Sequence, residues 1–156
     1  MEFIFILVEP MVPGNIGASA RAMHTMGFSR LRLVKPGPYL STEAMTLAHG
    51  SRHILENAEV FESFEEATKG IEFLIGTTAK TRSAHADYIP VSRISEVLYN
   101  KSKLVRTTGI VFGKEESGLT NDQLRECDIM SYIPMKTRYP SLNLSQAVML
   151  YSYVLS

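Results

Sequence analysis

Five short apolar runs, rich in β-branched and aromatic residues, recur along the chain with helix-periodic stretches between them, and nothing else in it constrains the fold as strongly. They lie near 3–8, 30–35, 71–76, 105–112 and 129–133. Phe3-Ile4-Phe5-Ile6-Leu7-Val8, Ile71-Glu72-Phe73-Leu74-Ile75 and Ile110-Val111-Phe112 are nearly continuous in apolar character. A strand with one wet face alternates, so continuity predicts strands covered on both sides. Helices are predicted near 15–27, 42–56, 63–69, 91–99 and 120–126. A last one, about 143–155, puts Leu144, Ala147, Val148, Tyr151, Val154 and Leu155 on one stripe. Ser63-x-x-Glu66 and Thr120-x-x-Gln123 have the capping-box form, in which side chains satisfy the free amides of a first turn. The alternation predicts an α/β fold, a mainly parallel sheet flanked by helices. No repeat or low-complexity linker divides the 156 residues, so a single domain over 1–156 is expected.

Several functional classes fall away. One cysteine, Cys127, excludes a disulfide framework within the chain. The four histidines are scattered, and only His49 and His53 stand four apart, which reads as a solvated face; no metal is expected. The opening run Phe3–Val8 is too short for a signal-peptide core or a membrane span, so a cytoplasmic protein is expected. Sixteen basic and sixteen acidic residues cancel, yet unevenly: 40–79 carries −5 and 80–106 carries +4. A polyanion is therefore expected at Lys80, Arg82, Arg93, Lys101, Lys103 and Arg106 rather than on the acidic stretch.

The loops at 77–90, 113–119 and 134–142 follow the carboxyl ends of predicted strands, where open α/β sheets build ligand sites. Three clusters there carry polar chemistry. After the first strand, Gly14-x-x-Gly17 opens a helix in which Asn15 and Arg21 stand out among small residues. Such a unit can cradle an anion or nucleotide, but it lacks the G-x-G-x-x-G order and a ribose-binding acid after the second strand, where Lys35 stands. The second is Gly113-Lys114-Glu115-Glu116-Ser117-Gly118, whose flanking glycines let backbone approach a ligand closely. The third is Ile133-Pro134-Met135 with Ser141-Leu142-Asn143, where Ser141 or Asn143 also reads as a helix N-cap.

In this order and spacing the chain resembles the SpoU/TrmH-type SPOUT RNA 2′-O-ribose methyltransferases. Motif 1 is Pro13-Gly14-Asn15-Ile16-Gly17-Ala18-Ser19-Ala20-Arg21, motif 2 is Phe112 to Leu119, and motif 3 is Ile133-Pro134-Met135 with Ser141-Leu142-Asn143-Leu144-Ser145. Val8-Glu9-Pro10, Arg30 to Pro36 and Gly118-Leu119-Thr120-Asn121 look most like the TrmJ branch, which methylates the ribose at nucleotide 32 of the tRNA anticodon loop.

The resemblance implies a deep trefoil knot at the C-terminal end, an exception to the rule that connections do not thread. It implies S-adenosylmethionine as cofactor, held by Thr77, Thr78, Ala79, Phe112, Gly113, Glu115, Ile133, Pro134, Met135 and Leu142. Arg21 would stabilise the developing 2′-alkoxide or accept its proton, and Asn15 would orient Arg21 or an RNA phosphate. Glu115 and Ser141 would position Arg21 and the ribose, and Asn143 would fix the loop. Lys80, Arg82 and Arg138 would meet the RNA backbone. A homodimer through the first and last helices would complete the site. Members of that branch continue past motif 3 whereas this sequence stops at Ser156, which fits either a catalytic core or a minimal relative like the TrmL-type enzymes that modify the wobble nucleotide. An rRNA target, a catalytically silent knotted RNA-binding protein, and a nucleotide-dependent enzyme of another class are the alternatives.

Overall fold

The computed structural model of the chain describes residues 1–79 and 88–156. The apolar opening forms β1 (Glu2–Val8), followed by α1 (Pro13–Thr25), β2 (Leu31–Val34), α2 (Thr42–Leu47), α3 (Arg52–Glu56), β3 (Glu59–Phe61), α4 (Phe64–Thr68) and β4 (Phe73–Thr78). Then come β5 (Tyr88–Pro90), a 3₁₀ turn at Val91–Arg93, α5 (Ile94–Lys101), β6 (Thr107–Phe112), α6 (Asn121–Arg125), β7 (Ile129–Tyr132) and α7 (Leu144–Leu155). The strands form one sheet in the order β3-β2-β1-β6-β4-β7-β5, and every neighbouring pair is parallel. The expected mainly parallel sheet is thus parallel throughout its described strands, and all their carboxyl ends share one edge.

The continuous apolar runs have the predicted cause. Along β1, Phe5 and Leu7 enter one core with residues of α1, α2, α3, α5 and α7, while Ile4, Ile6 and Val8 enter a second core with Ala67 of α4 and Leu124 of α6. Each fully buried side chain of this size contributes about 1.5–3 kcal/mol relative to exposure. Phe5 stacks on Phe112 of β6, and Phe112 meets Tyr151 of α7 edge to face at 5.6 Å, so an aromatic chain links the sheet centre to the last helix.

The elements differ from the expected ones in two places. The helix predicted over 42–56 is two helices, α2 and α3. Gly50 lies between them at φ +73, a left-handed backbone that ends helices and that glycine adopts without strain. The edge strands β3 and β5 were not predicted; each is three residues long, and neither is buried on both faces. Gly14 and Gly17, whose spacing already departs from the dinucleotide order, let α1 press against α2. A Cβ on Gly17 would stand 2.1 Å from the Ala44 carbonyl oxygen.

The basic block is divided. Lys80 and Arg82 lie outside the described residues. Lys101, over the Phe73 ring at 5.0 Å, and Arg106, next to the start of β6, sit at the amino-terminal edge of the sheet, opposite the strand ends where ligand loops gather.

Candidate functional site

At the carboxyl edge, the segments leaving β4, β6 and β7 surround a cavity of about 560 Å³, within the usual range for small-molecule sites. Thr77, Thr78 and Ala79 line it from the end of β4. Phe112 and Gly113 line it at the end of β6, Glu115 in the turn beyond, and Ile133, Met135 and Leu142 in the segment after β7. Pro134, the remaining residue assigned to the cofactor, is exposed and does not line the cavity: in extended chain leaving β7, alternate side chains point inward, and its neighbours occupy that side. Leu144, Ala147 and Tyr151 of α7 complete the wall, whereas the sequence reading gives their stripe to the core and a dimer interface. Their i,i+3,i+4 spacing is that of any buried helical stripe, so no signal separated them.

The turn after β6 closes on itself. Lys114 and Gly118 form an antiparallel bridge, and a Cβ on Gly113 would stand 2.2 Å from the Gly118 carbonyl carbon and the Leu119 amide nitrogen. The flanking glycines therefore serve the close approach of the turn's own two ends. Thr120 starts α6 with the predicted capping box to Gln123. Ser63 accepts from the Glu66 amide at 3.1 Å and so caps α4, the serine half of the expected box.

Glu115 is tied to the first helix. Its Oε1 accepts from the amides of Met11 and Val12, both at 3.0 Å, and Oε2 lies 3.3 Å from the Met11 amide. These amides precede Pro13, the first residue of α1, where a carboxylate meets free N–H groups and the positive end of the helix dipole. Lys114 reaches Glu9 at 3.8 Å across the same gap, an exposed pair that adds little. Glu9 and Lys35, which follow β1 and β2, hold left-handed backbones at φ 52 and φ 42.

Asn143, not Ser141, caps α7. Its Oδ1 accepts from the Ser145 amide at 2.8 Å, and the Gln146 side chain accepts from the Asn143 amide at 2.9 Å, a capping box. The Asn143 Nδ2 donates to Asn15 Oδ1 at 2.9 Å. Ser141 stands in the cavity wall, with Arg138 and Tyr139 beside it. Below, the buried Tyr151 hydroxyl donates to Ser131 Oγ at 2.8 Å, and burial pushes its ionisation well above the ordinary phenol value.

Of the residues assigned to catalysis, Glu115 and Ser141 share the cavity, whereas Arg21, Asn15 and Asn143 do not line it. Arg21 is exposed two turns along α1 from Asn15 and makes no side-chain hydrogen bond or ion pair among the described residues. One turn further, His24 Nδ1 lies 3.0 Å from the buried Ser51 Oγ, and its ring meets His53 edge to face at 4.6 Å. No group of three or more metal-ligating side chains occurs among the described residues, and no described helix is long and apolar enough to cross a membrane.

Comparison with known proteins places the site in context. The model of the SpoU rRNA Methylase family matches residues 2–153. The chain is 42% identical to the uncharacterized tRNA/rRNA methyltransferase LasT of Escherichia coli K12 over 156 residues, all of this chain and 68% of that protein. It is 36% identical over 149 residues to the tRNA (cytidine-2′-O-)-methyltransferase TrmJ of Methanocaldococcus jannaschii, 95% of this chain and 64% of that one. Among solved structures, a probable methylase family protein from Haemophilus influenzae Rd KW20 superposes with a TM-score of 0.89 at 37% identity, covering 98% of this chain and 64% of its own. The chain thus spans about two thirds or less of the length of these relatives.

Proposed function

The chain belongs to the SpoU methylase family, and on that premise we propose that it transfers a methyl group from S-adenosylmethionine to a ribose 2′-hydroxyl of RNA, with tRNA as the substrate. The observation that carries the reading is the cavity itself, walled by the three strand-end segments that motifs 2 and 3 supply. Its volume suits a nucleoside-sized ligand. Its wall joins backbone at 77–79 and 113–118 to apolar side chains such as Phe112, Leu142 and Leu144, the mixture that an adenosine with a charged tail requires. When bound there, S-adenosylmethionine supplies a methyl group activated by a sulfonium.

The protein's own task is positioning and charge. The attacking 2′-oxygen must be held in line while it loses its proton. A guanidinium is a poor general base, so the 2′-hydroxyl proton passes to solvent water while Arg21 stabilises the developing negative charge on the oxygen. Ser141, in the cavity wall, donates to or accepts from the ribose. Glu115 acts through the Met11 and Val12 amides to hold the start of α1, and Asn143 acts through Asn15 in the same direction. Both are positioning residues for the helix that carries Arg21.

Arg21 does not line the cavity of its own chain, and this supports a homodimer in which Arg21 of the partner subunit meets the cofactor. Apolar Met11 and Val12 before α1, and Leu150 and Tyr153 on α7, are exposed and suit that contact. The insertion of β6 between β1 and β4, and of β7 between β4 and β5, supports the C-terminal trefoil knot within a single domain. Arg138 at the cavity, with Lys80 and Arg82, meets the RNA backbone in a salt-sensitive contact. The cytoplasm is the proposed location, and the anticodon-loop pyrimidine at nucleotide 32 the proposed target.

The test is incubation with labelled S-adenosylmethionine and either unmodified tRNA or rRNA, followed by ribose-methylation mapping. Methylation confined to the anticodon loop at nucleotide 32 is expected. Methylation of the wobble nucleotide or of rRNA would move the target while keeping the reaction.

A further inference from the structure

The cavity has an aromatic residue at its mouth that nothing in the fold uses. Tyr139 lines the cavity, yet it is 87% exposed and has no hydrogen bond or ring contact among the described residues. The other aromatic side chains of the wall, Phe112 and Tyr151, are buried and held in the aromatic chain from the sheet to α7. Lys136 and Arg138, three residues and one residue before Tyr139, are exposed and form no ion pair with any described residue. A phenol ring left in water, with two unpaired cations just before it in the same segment, offers what holds single-stranded RNA: the ring face takes a base, and the cations take neighbouring phosphates.

We propose that Tyr139 is the platform on which one unpaired base of the RNA substrate stacks, with Lys136 and Arg138 on the flanking phosphates. Tyr139 is then a substrate-binding residue, whereas the inner wall serves the cofactor. The inference rests on the methyltransferase reading for its ligand, an RNA with an unpaired loop. The platform sits beside Ser141, so it orders the strand next to the reacting ribose.

The full chain contains no tryptophan, so Tyr139→Trp places a single indole at the cavity mouth. Its fluorescence is expected to fall saturably on titration with an unmodified tRNA transcript and to change little with S-adenosylmethionine alone. Tyr139→Ala is expected to weaken tRNA binding and raise the KM for tRNA about ten-fold, with S-adenosylmethionine affinity within about two-fold of the parent. Tyr139→Phe should retain most of the affinity, because stacking needs the ring and not the hydroxyl. Unchanged tRNA binding by Tyr139→Ala, absence of tRNA binding by the parent, or quenching by S-adenosylmethionine in place of RNA would each overturn the proposal. Binding is read without turnover, so a parent that binds RNA through Tyr139 but transfers no methyl would fail the reaction reading and leave the platform standing.

Discussion

Asn143 Nδ2 donates to Asn15 Oδ1 across 2.9 Å, joining the first turn of the last helix to the first turn of the first helix over 128 residues of sequence. The same Asn143 caps α7, so one side chain satisfies a free amide of its own helix and fixes the spacing to its neighbour. Asn143→Ala should remove both contributions. A cap is worth about 1 kcal/mol and a partly exposed hydrogen bond about 0.5–1.5 kcal/mol. Asn15→Ala should lose only the second. Urea midpoints of the two single variants and the double variant should therefore show a coupling of about 0.5–1 kcal/mol, and strict additivity would contradict the pairing.

Glu115 is predicted to act through α1. Glu115→Gln keeps one acceptor oxygen but loses the charge opposite the helix start, and the account expects kcat to fall about ten-fold while KM for S-adenosylmethionine moves less than two-fold. Glu115→Ala should lose both acceptors and lower kcat further. If KM for S-adenosylmethionine rose in step with the fall in kcat, Glu115 would be a cofactor ligand and not a positioning residue.

The two motif 1 glycines should separate cleanly. A Cβ on Gly17 meets backbone of α2, which cannot turn aside, so Gly17→Ala should destabilise by about 2 kcal/mol and lower Tm by roughly 5 °C. A Cβ on Gly14 meets Leu47 Cδ1 at 2.9 Å and Glu43 Oε1 at 3.1 Å, both ends of exposed side chains, and Gly14→Ala should stay within about 1 kcal/mol of the parent. Equal effects would mean that the α1–α2 packing is looser than described.

Much of this was legible because buried strands announce themselves. Phe3–Val8 and Ile110–Phe112 are apolar on both faces because both faces are covered, and the capping side chains Ser63 and Thr120 stand where their helices begin. β3 and β5 escaped notice because a three-residue edge strand owes its pairing to a neighbour more than to its own pattern. The break at Gly50 escaped because Ala44, Ala48 and Leu55 keep a helical spacing across it. At the site, the motif spacing brought Glu115 and Ser141 to the cavity. That Glu115 binds the amides of Met11 and Val12, 104 and 103 residues away, was not legible, because backbone groups carry no sequence signature.

The buried Cys127 supplies a pH prediction. Burial, reinforced by Asp128 and Glu126, pushes its thiol up to about 12. Its folded value exceeds the unfolded one, near 8.5, so the native state binds the extra proton in between, and stability falls as pH rises through that interval. The slope from this group is about 1.4 kcal/mol per pH unit above roughly pH 9. Tyr151, also raised by burial, adds to it above roughly pH 10. Urea midpoints from pH 8 to 11 should drop, and less steeply for Cys127→Ala. A parent and variant with the same slope would contradict the assignment.

Methylation of RNA ribose by this chain is proposed to run through Arg21. The most direct test is transfer of labelled methyl from S-adenosylmethionine to unmodified tRNA by the parent chain, Arg21→Lys and Arg21→Ala, with S-adenosylmethionine binding measured in parallel. Transfer is expected from the parent, reduced but measurable transfer from Arg21→Lys, and nearly none from Arg21→Ala, with cofactor binding preserved in all three. Full activity in Arg21→Ala, or a parent chain that binds neither S-adenosylmethionine nor tRNA, would contradict the proposal.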